Sequence, residues 1–311
     1  MGIFLFFIDG FGLGEADQRS NPFLVARLPV LTGLCGGTPG LRFSGVRQGG
    51  QSLVVSTDAT LGVPGLPQSA TGQTAIFTGV NAATHVGHHV NAHPTPALAA
   101  ILQGESIFKR VAGMGRRPTF LNAYRPEFFT WLEGLRRGER ARNYRPSATT
   151  LAVLAAGLRF RDLTDLAAGR AVYHDITNDW LESRGYVVTP VEPEEAGRRA
   201  AAVHAEQDLT VFEYFLTDLF GHRGDTVSAV ASLETIDRFL GALLAGLNLG
   251  RDLLVITSDH GNVEDLSILT HTTNLVPTIA VGRGRERIAR EVRDLTDIAP
   301  ALLGVLAEGM V

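Results

Sequence analysis

The chain has 311 residues, 45% of them hydrophobic, with 35 Gly and 14 Pro, enough for one large domain or two domains around a sizeable core. A formal net charge of -4 gives no global attraction to nucleic acid or to an anionic membrane, and no apolar run reaches the ~18 residues of a membrane span. A single cysteine, Cys35, excludes an internal disulfide framework, fits a cytoplasmic protein, and reads as a small buried hydrophobe.

The first apolar run, Ile3–Ile8, reads as a buried strand that leads straight into Asp9-Gly10-Phe11-Gly12, where glycines let the backbone turn closely. It is too short for a signal-peptide core. Met1-Gly2 does not open a myristoylation motif, because Phe6 stands where Ser or Thr is needed. A Pro- and Gly-rich stretch, Pro67 to Gly79, leads into a short helix that begins near Ala70. Ser69 then stands at the helix N-terminus, where free amides and the dipole favour anions. Serine is also a favoured N-cap, and on this stretch alone capping is the simpler role. His85, His88, His89 and His93 follow as a local cluster. They read as exposed or capped loop residues, with a third metal site as the alternative.

Residues 104–205 differ in charge. They hold 16 of the 28 Arg and Lys and 12 of the 32 Asp and Glu, a net of +4 against -8 for the remainder. A basic middle in an acidic frame is expected to form an inserted cap or substrate module facing an anionic substrate, with 1–103 and 206–311 as the catalytic domain. Random surface charge is the plainer alternative.

Three further apolar runs read as strands: Val211–Leu216, Leu253–Thr257 and Pro277–Val281. Asp218 and His222 follow the first of these, four residues apart. The periodicity of Val230, Leu233, Ile236, Leu240, Leu243 and Leu247 predicts a helix over Val227–Leu247, and a last helix is expected over about Asp297–Leu306. Asp259 and His260 end the second run, and His271 lies in a Thr-His-Thr-Thr loop. Strands alternating with helices argue for an α/β fold, a mainly parallel sheet covered on both faces. In such a sheet Asp9, Asp218 and Asp259 gather along one carboxyl edge, where open α/β sheets bind ligands. Ser69, His222, His260 and His271 bring the set to four oxygen and three nitrogen donors, enough for two ions. Three carboxylates without cations would repel one another strongly, and two divalent ions reverse that problem while creating an anion site.

These residues resemble the alkaline phosphatase superfamily, specifically its cofactor-independent phosphoglycerate mutase and phosphopentomutase branch. The pieces that carry the resemblance are the strand with Asp9-Gly10, Gln68-Ser69-Ala70-Thr71-Gly72, Asp218-Leu-Phe-Gly-His222, Ser258-Asp259-His260-Gly261-Asn262-Val-Glu264, Thr270-His271-Thr-Thr-Asn274 and the tail Leu295 to Gly304. They cover about the first 90 and last 105 residues. The resemblance implies one metal centre at Asp218, His222 and His271, and another at Asp9, Asp259, His260 and the Ser69 hydroxyl. It implies manganese or zinc as the ions, Ser69 as the residue that is phosphorylated, and a small anionic phosphate ester as substrate. Thr71 is the competing nucleophile.

The chain also departs from the pattern. Gln73 stands where the mutases carry His, and Thr78 to Gly87 is more similar to nucleotide phosphodiesterases of the superfamily. The middle segment matches no phosphoglycerate-binding arginines and is nearer in size to the phosphopentomutase cap. Phosphatase-type hydrolysis is therefore the expected activity. Phosphomutase and phosphodiesterase activity are the enzymatic alternatives, and a non-catalytic metal-binding relative is the remaining one. A sulfatase is disfavoured, because no modification motif surrounds Ser69.

Overall fold

The computed structural model describes residues 1–138 and 144–308. Seven strands form one sheet: β1 Ile3–Ile8, β2 Val46–Gln48, β3 Ser52–Thr57, β4 Pro118–Phe120, β5 Leu209–Tyr214, β6 Leu253–Thr257 and β7 Val276–Gly282, in the order β2-β3-β7-β6-β1-β5-β4. The strands β4, β5, β1 and β6 run parallel, whereas β7, β3 and β2 continue the sheet antiparallel. The parallel character read from the sequence thus holds for the half that carries the acidic edge, and the sheet as a whole is mixed. β5 lies two residues earlier than the predicted run, because Leu216 already begins the helix Leu216–Arg223.

The sequence Ile-Phe-Leu-Phe-Phe-Ile of β1 has no polar alternation because both faces of the strand are covered, and every residue in it is buried. Alternation instead divides it between two cores. Ile3, Leu5 and Phe7 pack with Ile76, Phe77 and Leu302 on one face, and Phe4, Phe6 and Ile8 pack with Leu233, Phe239 and Leu240 on the other. The predicted helices appear as Thr226–Gly246 and Ile298–Glu308. Cys35 is buried, and its burial pushes the thiol up to about 12, as a small core residue requires.

Residues 104–205 are not a wholly separate body. Within them β4 pairs with β5, Phe108 and Val111 enter the first core, and the helix Pro193–His204 packs on Thr226–Gly246 so closely that a Cβ on Gly197 would meet Phe239 O at 2.5 Å. The part that stands over the sheet edge has its own small core of Ala123, Leu166, Ala171, Tyr173 and Leu181.

Candidate metal centre

In the parallel pairing Phe7 of β1 stands level with Glu213 of β5 and Thr257 of β6. The strands therefore end together, and Asp9, Asp218 and Asp259 leave the sheet at one edge as the sequence suggests. Gly10 turns the chain with φ of +72°, and Gly12 N donates to Glu264 Oε2 at 3.1 Å.

Ser69 is the first residue of the helix Ser69–Thr78. The N-cap is Gln68, and no side chain caps this helix. The simple capping role considered for Ser69 is thus corrected, because the residue sits one position too far into the helix. Its Oγ lies 3.1 Å from His260 Nε2. Thr71 is held elsewhere: its Oγ1 donates to Gln68 O at 3.0 Å and accepts from Val90 N at 3.3 Å.

Two groups of donors converge within 4.8 Å, one of Asp218, His260 and His271 and one of Asp9, Asp259 and His260. His260 stands between them. Its Nε2 is 3.2 Å from Asp9 Oδ1 and 3.6 Å from Asp259 Oδ2, and its ring stacks on His271 at 3.6 Å. His222 joins from the open side, with Nε2 3.0 Å from His271 Nε2 and 3.4 Å from Asp218 Oδ2. All seven sequence candidates therefore meet in one place. The four histidines His85 to His93 do not gather. His88 faces Val86 O and His89 faces Val63 O, and among the described residues they enter no converging donor group.

The hydrogen bonds test whether a cation fits. His222 Nδ1 faces Leu269 O at 3.0 Å and His271 Nδ1 faces Pro67 O at 2.7 Å. A carbonyl only accepts, so each Nδ1 carries a proton, and each Nε2 is left to face the Asp218 carboxylate, at 3.4 Å in both rings. Against the opposing effect of burial, the Asp218 carboxylate raises the His271 imidazole above its ordinary value, so this place draws positive charge, which a divalent cation would supply. Buried Asp9 Oδ1 has no hydrogen-bond partner, and neither has His260 Nδ1. Burial and the charges of Asp259, Asp218 and Glu213 push the Asp9 carboxyl well above its usual range. Burial alone would also raise Asp218, but the hydrogen bond from His271 and the charge of His260 hold it at about 2. The donor set fits divalent cations.

Further hydrogen bonds hold these side chains in place. Gln73 Nε2 bridges Asp9 Oδ2 at 3.3 Å and Asp259 Oδ2 at 3.1 Å, so the residue that departs from the mutase pattern binds the two carboxylates together. Buried Glu264 accepts from Asn262 N at 2.7 Å, Thr272 Oγ1 at 2.5 Å and Asn274 Nδ2 at 2.9 Å, joining the Asp259 and His271 loops. Asn262 Nδ2 donates to Asp218 Oδ1 at 2.6 Å. These roles escaped the sequence reading, since Gln73, Asn262 and Glu264 lay in the quoted motifs without an assigned task. Glu213 was also missed, though an acid inside the apolar run Val211–Leu216 is a visible signal. Burial, with the charge of Asp259 added, pushes its carboxyl up to about 7.

A cavity of ≈ 640 Å³ opens beside Asp9, Ser69, Asp218 and His222, and its far walls come from the middle segment.

Fold and donor set together resemble those of α/β metalloproteins of the alkaline phosphatase type. The sequence description of the Metalloenzyme superfamily matches residues 154–307. The chain superposes on the PH0037 protein from Pyrococcus horikoshii with a TM-score of 0.59 and 15% identity, covering 98% of this chain and 96% of the other. It superposes on alkaline phosphatase from the Antarctic bacterium TAB5 with a TM-score of 0.54 and 14% identity, covering 98% and 97%. These likenesses show the fold. In sequence, the chain is 36% identical over 121 residues to the 2,3-bisphosphoglycerate-independent phosphoglycerate mutase of a Ruegeria species, covering 37% of this chain and 24% of that protein. It is 39% identical over 112 residues to that of Synechococcus elongatus, covering 32% and 21%. The matched stretch is thus about a quarter or less of those enzymes. The resemblance to alkaline phosphatase superfamily metalloenzymes, and to their phosphoglycerate mutase branch, stands.

Proposed function

We propose that the protein transfers the phosphoryl group of a small phosphate ester through a phosphoserine at Ser69, with hydrolysis as the outcome most easily detected. The observation that carries this reading is the uncapping Ser69 hydroxyl, 3.1 Å from His260 Nε2 and beside two converging donor groups. Asp9, Ser69, Asp259 and His260 would hold one divalent ion, and Asp218, His222 and His271 the other, with manganese or zinc suited to mixed carboxylate and imidazole donors. Bound there, such ions supply the charge that eases deprotonation of a hydroxyl and neutralises a phosphate.

The residues of the chain then do the following. Ser69 Oγ bonds to phosphorus, the bond from phosphorus to the ester oxygen breaks, and the alcohol leaves with a proton. Water next cleaves the Ser69 phosphate, restoring the hydroxyl and releasing inorganic phosphate. Gln73 and Glu264 keep the ligand loops in place. The substrate is a small anion met in the cytoplasm, with neither nucleic acid nor membrane as partner.

A phosphomutase is the second reading, favoured by the names of the sequence relatives and by walls of the middle segment that could shelter a dephosphorylated intermediate. Isotopically labelled esters separate the two. Under the leading reading, label appears as free phosphate and transiently on Ser69, Ser69→Ala abolishes both, and elemental analysis finds about two ions per chain. Migration of label without free phosphate moves the assignment to the mutase. Protein that takes up no metal, or that turns over no ester when loaded, defeats both readings.

A further inference from the structure

The ester itself can be narrowed, and this step rests on the phosphoryl-transfer reading above. A cavity of ≈ 640 Å³ is of a size that holds drug-sized ligands, far more room than a three-carbon phospho acid fills. One part of its lining, away from the donor groups, is a cluster of rings. The His174 ring lies 4.1 Å from Tyr173, 4.4 Å from Phe215 and 5.5 Å from Trp180, and all four residues face the cavity. His174 Nδ1 is buried with no hydrogen-bond partner, although the ring borders open space. Burial and the nearby Arg125 and Arg184 hold that imidazole neutral, down at about 3, so it offers a hydrogen bond without a charge.

Several neutral polar groups near these rings are already engaged. Asn122 uses Nδ2 and Oδ1 on the backbone of Glu213 at 2.7 and 2.9 Å. The Tyr124 hydroxyl meets Thr150 at 2.9 Å, and Ser147 meets Thr150 at 3.1 Å. Arg125 and Arg184 line the same cavity and form no ion pair with a carboxylate among the described residues, while Arg184 Cζ lies 5.8 Å from the centre of the Trp180 ring. Aromatic faces, an orphan imidazole nitrogen and unpaired guanidinium groups suit a flat, delocalised ring joined to an anion.

We infer that the substrate is a phosphate monoester whose alcohol part carries a flat aromatic or heteroaromatic ring, seated against Tyr173, His174, Trp180 and Phe215. The class is ring-bearing phosphomonoesters, and acyclic phospho acids are poor substrates.

The test uses the full chain loaded with manganese or zinc. Adenosine 5′-monophosphate and ribose 5-phosphate present the same primary phosphate with and without a flat base, and 2-phenylethyl and 2-cyclohexylethyl phosphate compare a flat ring with a puckered one of similar size. We expect kcat/KM to favour the flat-ring member of each pair by about tenfold, the scale of stacking on aromatic side chains. Trp180→Leu should lower both ratios by about threefold or more, and Trp180→Phe should keep them. Metal content and circular dichroism report whether each variant is folded, and Phe215→Leu replaces Trp180→Leu if the latter is not. Ratios near one in the unaltered protein overturn the inference while leaving phosphoryl transfer intact. Equal turnover of the phenyl and cyclohexyl esters overturns it in favour of a merely apolar pocket. Absence of turnover with all four esters counts instead against the phosphoryl-transfer reading on which it rests.

Discussion

In the first turn of the helix Ser69–Thr78 the hydroxyls of Ser69 and Thr71 lie two residues apart and have different surroundings. Ser69 caps nothing and faces His260, whereas Thr71 ties Gln68 O to Val90 N. Ser69→Ala should therefore leave the melting temperature nearly unchanged while activity is lost. Thr71→Ala should cost about 1 kcal/mol of stability through its hydrogen bonds and keep most of the activity. Loss of activity in Thr71→Ala at full metal content, with Ser69→Ala active, would transfer the nucleophile to Thr71. Glu213 yields a pH prediction. Its folded value of about 7 lies above the ordinary value of 4.5, so the folded form holds the proton more tightly than the unfolded one. Its contribution to stability is complete below about pH 4.5 and is lost as pH rises through about 7. Metal-free protein should accordingly lose stability across that window, and Glu213→Gln should flatten the slope in denaturant titrations at a series of pH values. An unchanged slope would show that Glu213 does not titrate there. Each of the seven side chains that converge was legible from its place after an apolar run or in a motif. Glu264 and Gln73 were not, because a buried acid or amide that ties two loops together leaves no period in the sequence.

The loops after β6 show how elements position the donors. Asp259 and His271 lie on segments joined through Glu264, which also receives Gly12 N from the loop after β1. A Cβ on Gly12 would lie 2.2 Å from Glu264 Cδ, so no side chain fits there without displacing the carboxylate. Gly12→Ala is expected to leave the sheet formed yet weaken metal binding by about 10- to 100-fold, the usual scale for loss of a supporting shell. Metal titration followed by calorimetry checks this, and unaltered affinity would show that the loops hold their shape without Glu264. The long strands and helices were legible because β1, β5, β6 and β7 are mostly apolar and Thr226–Gly246 keeps one apolar face. β2 and β4 have only three residues each, and β3 alternates only partly between buried and half-buried positions. Such short edge segments are specified by their neighbours rather than by their own pattern.

At the scale of the whole molecule, seven donors from five stretches of chain converge on one edge of the sheet, and the middle segment both roofs that edge and supplies β4 to the sheet. Charge composition indicated a distinct middle segment but not that its ends are woven into the main layers, since net charge carries no information on strand pairing. Without cations, burial raises the proton affinity of Asp9 and Glu213, and the charge of Asp259 adds to the effect. Ion binding at 100 times the dissociation constant should stabilise the fold by about 2.7 kcal/mol per site. Chelation should therefore lower the melting temperature by several degrees, and manganese or zinc should restore it. A melting temperature indifferent to chelator, in protein shown to have lost its metal, would mean that the acidic edge is not a cation site.

The position of β1 carries a further consequence for biosynthesis. Its two neighbours in the sheet, β5 and β6, begin at Leu209 and Leu253, so the six apolar residues Ile3–Ile8 have no strand partner until about 200 more residues have been made. At ribosomal speeds of roughly 5–20 residues per second, that wait is about 10 to 40 seconds. Throughout it, a sticky hexapeptide with strong sheet preference hangs from the growing polypeptide, open to self-association with copies on the same polysome. Production of this protein should thus depend on nascent-chain chaperones more than its final stability suggests.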